Sequence, residues 1–273
     1  MKVSDLSRLS RRYYRHYAKP RRVGPRIFVL GASKTGTHTL AHMFDDKLRT
    51  GHEDDAERII KAYLKANLSR DTSGLLRLLR TRDRIRNLKI DSSSVNVYVL
   101  KEILELFPDS KFILTVREPT IWLRSMLDHS MARPVSPTWQ EFRTYRFGER
   151  AGHPVEEQAL EQAGMYPVAR YLDYWSYSVA MALDQTPQDR LLVVPTNDLG
   201  KRVAEIAAFC DLDSENTSPT STHSYPNHFR SNLLQTLPAG YLEKLVEREV
   251  GDLARRIWPE WDPKQATEHA LNS

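Results

Sequence analysis

Cysteine occurs once in the 273 residues, at Cys210. That excludes an intramolecular disulfide and matches the thiol usage of a reducing compartment. Cys210 closes the apolar run Ile206-Ala207-Ala208-Phe209 and is expected in the core. No stretch approaches the roughly 18 to 20 apolar residues that cross a membrane. The N-terminal residues are charged and lack the apolar segment of a secretory signal, so a cytoplasmic location is expected. Internal repeats are missing too, which excludes a solenoid or a propeller.

What is present is an ordinary globular composition, 40% hydrophobic and 27% charged. The length suits one α/β domain with excursions, large enough to need neither disulfides nor a structural metal. We place that domain at residues 26–273, after a basic arm at residues 1–25. The formal charge of +5 is an average over unlike parts. Residues 1–26 hold nine Lys or Arg against the single acid Asp5, and the remainder is slightly acidic. With Tyr13, Tyr14 and Tyr17, the arm has the chemistry to touch an anionic surface. It reads equally as a solvated lead-in to the first strand. A nucleic-acid enzyme spreads its basic surface through the body, so no nucleic-acid partner is expected.

Apolar runs alternate with helical periodicity. Arg26-Ile27-Phe28-Val29-Leu30 predicts a buried parallel strand ending at Gly31, and a helix begins at Thr37. A second helix follows Asp54 or Asp55 through Ile59, Ile60 and Tyr63, and residues 70–86 predict a surface helix. Leu88-Lys89-Ile90 predicts a strand, Val95–Leu106 a helix, and Lys111–Val116 the clearest strand of all. Pro119 opens another helix. Residues 133–155, with Pro134, Pro137, Pro154 and two glycines, predict a mobile segment over a cleft. Further helices are expected at Val168–Leu183, from Asn197 or Asp198 to Phe209, and over 231–257, with a strand at Arg190–Val194. The fold class expected is α/β: a P-loop-like, mostly parallel sheet with helices on both faces.

Gly31-Ala32-Ser33-Lys34-Thr35-Gly36-Thr37-His38-Thr39 joins the first strand to its helix. Glycines let the backbone approach a phosphate, and the helix N-terminus offers N–H groups. A Walker-type ATP loop puts Lys directly after the second glycine, then Ser or Thr for magnesium. Here Thr37 follows Gly36, and the lysine is Lys34, two positions before it. The triphosphate site loses its central residue. A metal-free cradle for one phosphate, with a lysine beside the leaving oxygen, fits better. Arg117 stands at the end of the strongest strand, with Ser125 eight residues on in the next helix. A guanidinium fork and a hydroxyl can grip one terminal phosphate. The bland alternative pairs Arg117 with Glu118 or Asp128.

Lys34-Thr35-Gly36-Thr37-His38-Thr39 resembles the 5′-phosphosulfate loop of the sulfotransferases. Phe112–Pro119 with Trp122 and Ser125 is similar to their 3′-phosphate motif. Arg190–Leu199 resembles their late strand and turn. The resemblance covers residues 26–210 and implies 3′-phosphoadenosine 5′-phosphosulfate (PAPS) as donor, with no metal required. It implies that Ser33, Lys34, Thr35, Gly36, Thr37, His38 and Thr39 surround the phosphosulfate, and that Arg117 and Ser125 hold the 3′-phosphate. His228-Phe229-Arg230-Ser231 is a poor match to the family's basic C-terminal loop. His38 replaces the usual Thr or Ser.

The activity implied is transfer of a sulfuryl group to a hydroxyl or amine by in-line displacement. That chemistry needs positioning, a cation at the leaving oxygen and a base for the acceptor proton. Lys34 suits the cation. Tyrosylprotein sulfotransferases carry a Gly-Glu-Glu segment whose first glutamate is the base. Gly51-His52-Glu53 resembles it, so Glu53 is the candidate base and His52 the second. Both are alternatively part of a polar loop whose Asp54 or Asp55 caps a helix. Asp91 and Ser92 either touch the acceptor or cap a helix. The acceptor class stays open between carbohydrate, lipid and small molecule; Trp139, Arg143, Tyr145, Arg146, Tyr166, Tyr171 and Trp175 either line its pocket or pack the core. The alternatives to a sulfotransferase are a P-loop nucleotide kinase and a non-catalytic nucleotide-binding relative. A kinase needs a lysine after Gly36 and a metal-binding Asp at a strand end, where Thr37 and Arg117 stand.

Overall fold

The computed structural model describes residues 18–19, 21–44, 47–132, 134–212 and 229–272. Most of the basic arm (residues 1–17 and Pro20) and the polar loop 213–228, His228 included, lie outside the described residues. Within them five strands form: β1 (Ile27–Leu30), β2 (Thr50–His52), β3 (Ile90–Ser92), β4 (Lys111–Val116) and β5 (Leu191–Pro195). They pair in the order β2-β3-β1-β4-β5, all parallel. Val29 stands opposite both Ser92 and Ile113, and Val116 opposite Pro195. All five C-terminal ends therefore share one edge, where open α/β sheets collect ligands.

Among the described residues eleven helices surround the sheet: α1 (Thr37–Met43), α2 (Ala56–Ser69), α3 (Ser73–Arg86), α4 (Leu100–Leu106), α5 (Pro119–Ala132), α6 (Pro137–Phe147), α7 (Gln158–Gln162), α8 (Val168–Gln185), α9 (Val203–Phe209), α10 (Ala239–Arg255) and α11 (Pro263–Asn272). Side chains of β1 alternate between the two faces, as strand geometry requires. Ile27 and Val29 join Leu40 of α1 and Ile206 of α9 in the smaller core, with Cys210 buried there as expected. Phe28 and Leu30 join the larger one, which runs through Trp122 of α5, Trp175 of α8 and Leu242 of α10. The α/β architecture with helices on both faces is thus the one the sequence predicts.

Several elements differ from expectation. About half of the segment 133–155 is helix: α6 starts at Pro137 behind Ser136, whose side chain caps the N–H of Trp139, and stops at Gly148 in the left-handed region. The punctuating residues bracket a helix rather than dissolve one. Thr50–His52 is an edge strand, not a loop. The helix after β3 begins at Leu100 rather than Val95, because turns fill 94–99. Residues 231–257 hold one turn of 3₁₀ helix before α10, and α11 lies beyond them. The helix reaching Phe209 starts at Val203 behind Arg202, not at Asn197 or Asp198.

Charges expected at the surface also turn inward. Arg82 of α3 is buried and pairs with Asp91, its Nη2 donating to Asp91 Oδ1 at 3.0 Å. That pair removes Asp91 from any contact with an acceptor. Asp55 precedes α2 but caps nothing; its carboxylate accepts from Arg86 at 2.8 and 3.0 Å. At the described end of the basic arm, Arg22 and Arg26 both clasp Asp83, each at 2.8 Å.

Candidate active site

The loop from Gly31 to Thr37 crosses the C-terminal edge of the sheet in a shape that glycine alone permits at two points. Gly31 has φ +133°, and a Cβ there would lie 2.4 Å from the carbonyl of Thr115. Gly36 has φ +102° and would meet Leu199 Cδ1 at 2.6 Å. Lys34 also adopts positive φ, +73°, a strained setting for a residue with a side chain. The surrounding bonds that over-determine this loop come from distant elements. Trp122 Nε1 donates to the Ser33 carbonyl at 2.7 Å, and the Ser33 N–H donates to the Tyr174 hydroxyl at 2.8 Å. Thr35 is buried; its hydroxyl donates to the Ala32 carbonyl at 2.8 Å and meets Thr115 Oγ1 at 3.0 Å. Thr35 therefore shapes the loop with its side chain. Thr37 begins α1, whose first N–H groups have no partner within the helix.

β2 and β3 deliver the next residues. His52 Nε2 lies 3.3 Å from Thr37 Oγ1, at the start of α1. The His38 ring meets His52 edge-on at 4.8 Å, and its Nε2 lies 3.0 Å from that of His42. Glu53 follows β2 with φ +56°, its N–H donating to the Ser92 carbonyl at 3.0 Å. Its carboxylate accepts from Ser93 Oγ at 2.5 Å, from the Ser94 N–H at 2.9 Å and from Ser94 Oγ at 2.8 Å. A carboxylate has about four lone-pair sites, so one on Oε2 is left for a further donor. Glu53 is an oriented acceptor beside the loop, not a helix cap.

Arg117 leaves β4 at the same edge. Its Nε is buried with no hydrogen-bond partner, and among the described residues no carboxylate pairs with it. Both acids that the sequence offers are engaged elsewhere. Glu118 accepts from the N–H groups of Thr120 and Ile121 at 3.1 and 2.9 Å, and from Trp261 Nε1 at 2.9 Å. Asp128 accepts from the N–H and hydroxyl of Ser231 at 2.8 and 2.6 Å. Burial and the neighbouring Arg124 hold the pKa of Arg117 below the usual arginine range. Arg124 is lowered in turn by burial and by Arg230. Arg124 thus disfavours the charge on Arg117, and Arg230 that on Arg124, while Asp128 supports Arg124. Ser125 is half-buried on α5, next to Arg124.

Sequence reasoning missed the supports of the site more than its principal residues. Tyr174, Thr115, Ser93, Ser94 and Arg124 carry no motif of their own. Only their meeting at the sheet edge shows what they do. Of the aromatic residues weighed for an acceptor pocket, Tyr166, Tyr171 and Trp175 are buried in the core, and Trp175 Nε1 donates to the Arg117 carbonyl at 3.0 Å. Among the described residues no group of three or more His, Cys, Asp or Glu could hold a metal ion, and no helix is long and apolar enough to cross a membrane.

A family model described as "Sulfotransferase domain" matches residues 26–211. Among curated proteins none matches the chain. Three similar solved structures are a sulfotransferase from Alicyclobacillus acidocaldarius, the sulfotransferase domain of the Synechococcus PCC 7002 olefin synthase, and the sulfotransferase domain of the curacin biosynthetic pathway. The first is 16% identical, with 84% of this chain and 96% of that chain covered and a TM-score of 0.48. The second is 15% identical, with 93% and 96% covered and a TM-score of 0.40. The third is 14% identical, with 92% and 97% covered and a TM-score of 0.44.

Proposed function

The chain belongs to the sulfotransferase-domain family, and from that premise we propose that it moves a sulfuryl group from PAPS to an acceptor hydroxyl or amine by in-line displacement. The observation that carries the donor assignment is Arg117, a half-buried arginine whose buried Nε has no partner and which no carboxylate among the described residues pairs with, beside a glycine loop on the same sheet edge. Drawing a cation even partly out of water without a counter-charge costs free energy. A chain retains such a group where an anion completes it. A 3′-phosphate is that anion, with Ser125 adding a hydroxyl and Arg124 and Arg230 adding charge. Ser33, Lys34, Gly36, Thr37, His38 and Thr39 surround the other phosphate, Thr35 holding their loop in shape.

When bound, the nucleotide supplies the activated sulfuryl group and keeps the electron pair of the broken bond on its 5′-phosphate. Lys34 offsets the charge that grows on that leaving oxygen. Glu53 takes the acceptor proton at its remaining Oε2 site, held in direction by Ser93 and Ser94. His52, bonded to Thr37, is the second candidate for that proton.

Calorimetry separates this reading from a kinase. Adenosine 3′,5′-bisphosphate is expected to bind without metal, and ATP with magnesium to bind far more weakly. The reverse order would sink the donor assignment.

A further inference from the structure

A second arginine without a counter-charge lies on α6, one tyrosine's length from the phosphate-binding loop. Arg146 Cζ sits 4.6 Å from the ring centroids of both Phe142 and Tyr174, and 5.2 Å from that of Phe147. Tyr174 is the residue whose hydroxyl accepts from the Ser33 N–H. Nε and Nη1 of Arg146 are buried with no hydrogen-bond partner. Nη2 is neither sealed off nor bonded to a described residue.

The neighbouring polar groups do not neutralise it. Arg143 is a like charge, whose own pKa is held down by burial and by Arg146. Tyr98 has its pKa raised by burial, with Arg146 the charge that opposes the rise. Aromatic faces recover part of a guanidinium's lost hydration, and the last turn of α6 favours a cation. A ring face accepts an N–H only weakly, and no helix carbonyl bonds Nε or Nη1 of Arg146. A purely structural arginine would reach a carbonyl or a carboxylate; Arg82 and Arg22 do so in this protein. Flat apolar surface adjoins the cation. Tyr98 stacks on Tyr177 at 5.0 Å and Phe142 on Tyr145 at 6.1 Å, while Tyr145 and Tyr177 remain 48% and 38% exposed.

We infer that the acceptor is itself an anion: a hydroxyl compound with a flat, apolar body and a carboxylate or similar oxyanion, which Nη2 of Arg146 engages between tyrosine rings. The inference rests on the sulfotransferase reading and narrows the acceptor left open by it. The oxyanion supplies the missing counter-charge through a charge-assisted bond to Nη2, while Nε and Nη1 stay covered by the rings.

The test uses matched probes on the full chain: 4-hydroxybenzoate against its methyl ester, and glucuronate against glucose. Binding is followed by calorimetry with adenosine 3′,5′-bisphosphate present, and transfer with labelled PAPS. At least one acid is expected to be bound or sulfated about tenfold or more better than its neutral partner. Arg146→Gln should erase that preference through KM, Arg146→Lys should restore part of it, and bisphosphate affinity should stay unchanged in both. Acids handled no better than their neutral partners, or not bound at all, overturn the anionic acceptor. So does a loss of bisphosphate affinity in both folded variants, which would put Arg146 on the donor. Failure of the wild-type protein to bind the bisphosphate instead sinks the donor assignment, a separate result. Circular dichroism of each variant confirms that the comparison is between folded proteins.

Discussion

The hydroxyl of Thr196 lies 2.5 Å from the carbonyl of Thr35 and 3.0 Å from that of Val116. The turn after β5 thereby holds the phosphate-binding loop to the end of β4. The same turn supplies Leu199, which packs where a Gly36 side chain would stand. This part of the chain has no chemistry of its own in sulfuryl transfer. Its contribution is to fix the loop's shape.

Thr196→Val keeps the volume and removes the single hydroxyl proton that the two carbonyls share. It should destabilise the protein by about 1–3 kcal/mol and weaken adenosine 3′,5′-bisphosphate binding several-fold. Urea unfolding and calorimetry measure the two. Unchanged bisphosphate affinity would separate the turn from the loop.

Arg117→Met should act in opposite directions on stability and on binding. Replacing this half-buried cation, which has no counter-charge among the described residues, by an apolar chain of similar length should raise the ligand-free Tm modestly, with a gain of about 1 kcal/mol at most. The same change should abolish binding of the bisphosphate. A variant that loses stability would show that Arg117 is already satisfied within the protein.

For the base, Glu53→Gln keeps the shape and offers the serines a poorer acceptor. Turnover should fall by about 10²-fold or more, with bisphosphate affinity within a factor of two or so of wild type. The parallel His52→Gln variant should retain most of its turnover. If the two results are exchanged, His52 is the base.

The ties at Asp83 set a limit on acid stability. Burial alone would raise this carboxyl, but hydrogen bonds from Arg26 and Arg22 outweigh it, and its pKa lies below the ordinary aspartate range. A lowered pKa contributes stability that is fully present above the unfolded value and is lost as pH falls through the folded one. Asp83→Asn should therefore be less stable than wild type at neutral pH. Its deficit should shrink only below the ordinary aspartate range. Urea midpoints from pH 7 down to about pH 2 read this; a constant gap throughout would deny the ion pairs their role.

What the sequence made legible follows from how local each signal is. Ile27–Leu30 and Lys111–Val116 are continuous apolar runs, because a parallel strand is covered on both faces, and their limits appear in the structure within a residue. The glycine loop was legible from its spacing and Arg117 from its strand. β2 was not: Thr50-Gly51-His52 is three residues long and lacks an apolar pattern, so only pairing with β3 makes it a strand. Arg82 looked like one more surface arginine, since nothing nearby announces its partner Asp91, which arrives from another element. Tyr174 was hidden for the same reason, and Arg146 stood out only as one of seven pocket candidates. Their meaning lies in contacts across the fold, and Ser33 and Tyr174 are 141 residues apart.

The strand order also sets a timetable for synthesis. β1 is made first but sits in the middle, and Ile27 must wait for both Ile90 and Lys111 before it has neighbours. Thr196, which pins the loop, comes later still. At translation rates of about 5–20 residues per second, roughly ten to thirty seconds separate Lys34 from Thr196 at the ribosome. During that interval the loop gains Thr115, Trp122 and Tyr174 in turn but still lacks its tie through Thr196. A nucleotide that needs every one of these ties meets its finished loop only after the last strand has docked.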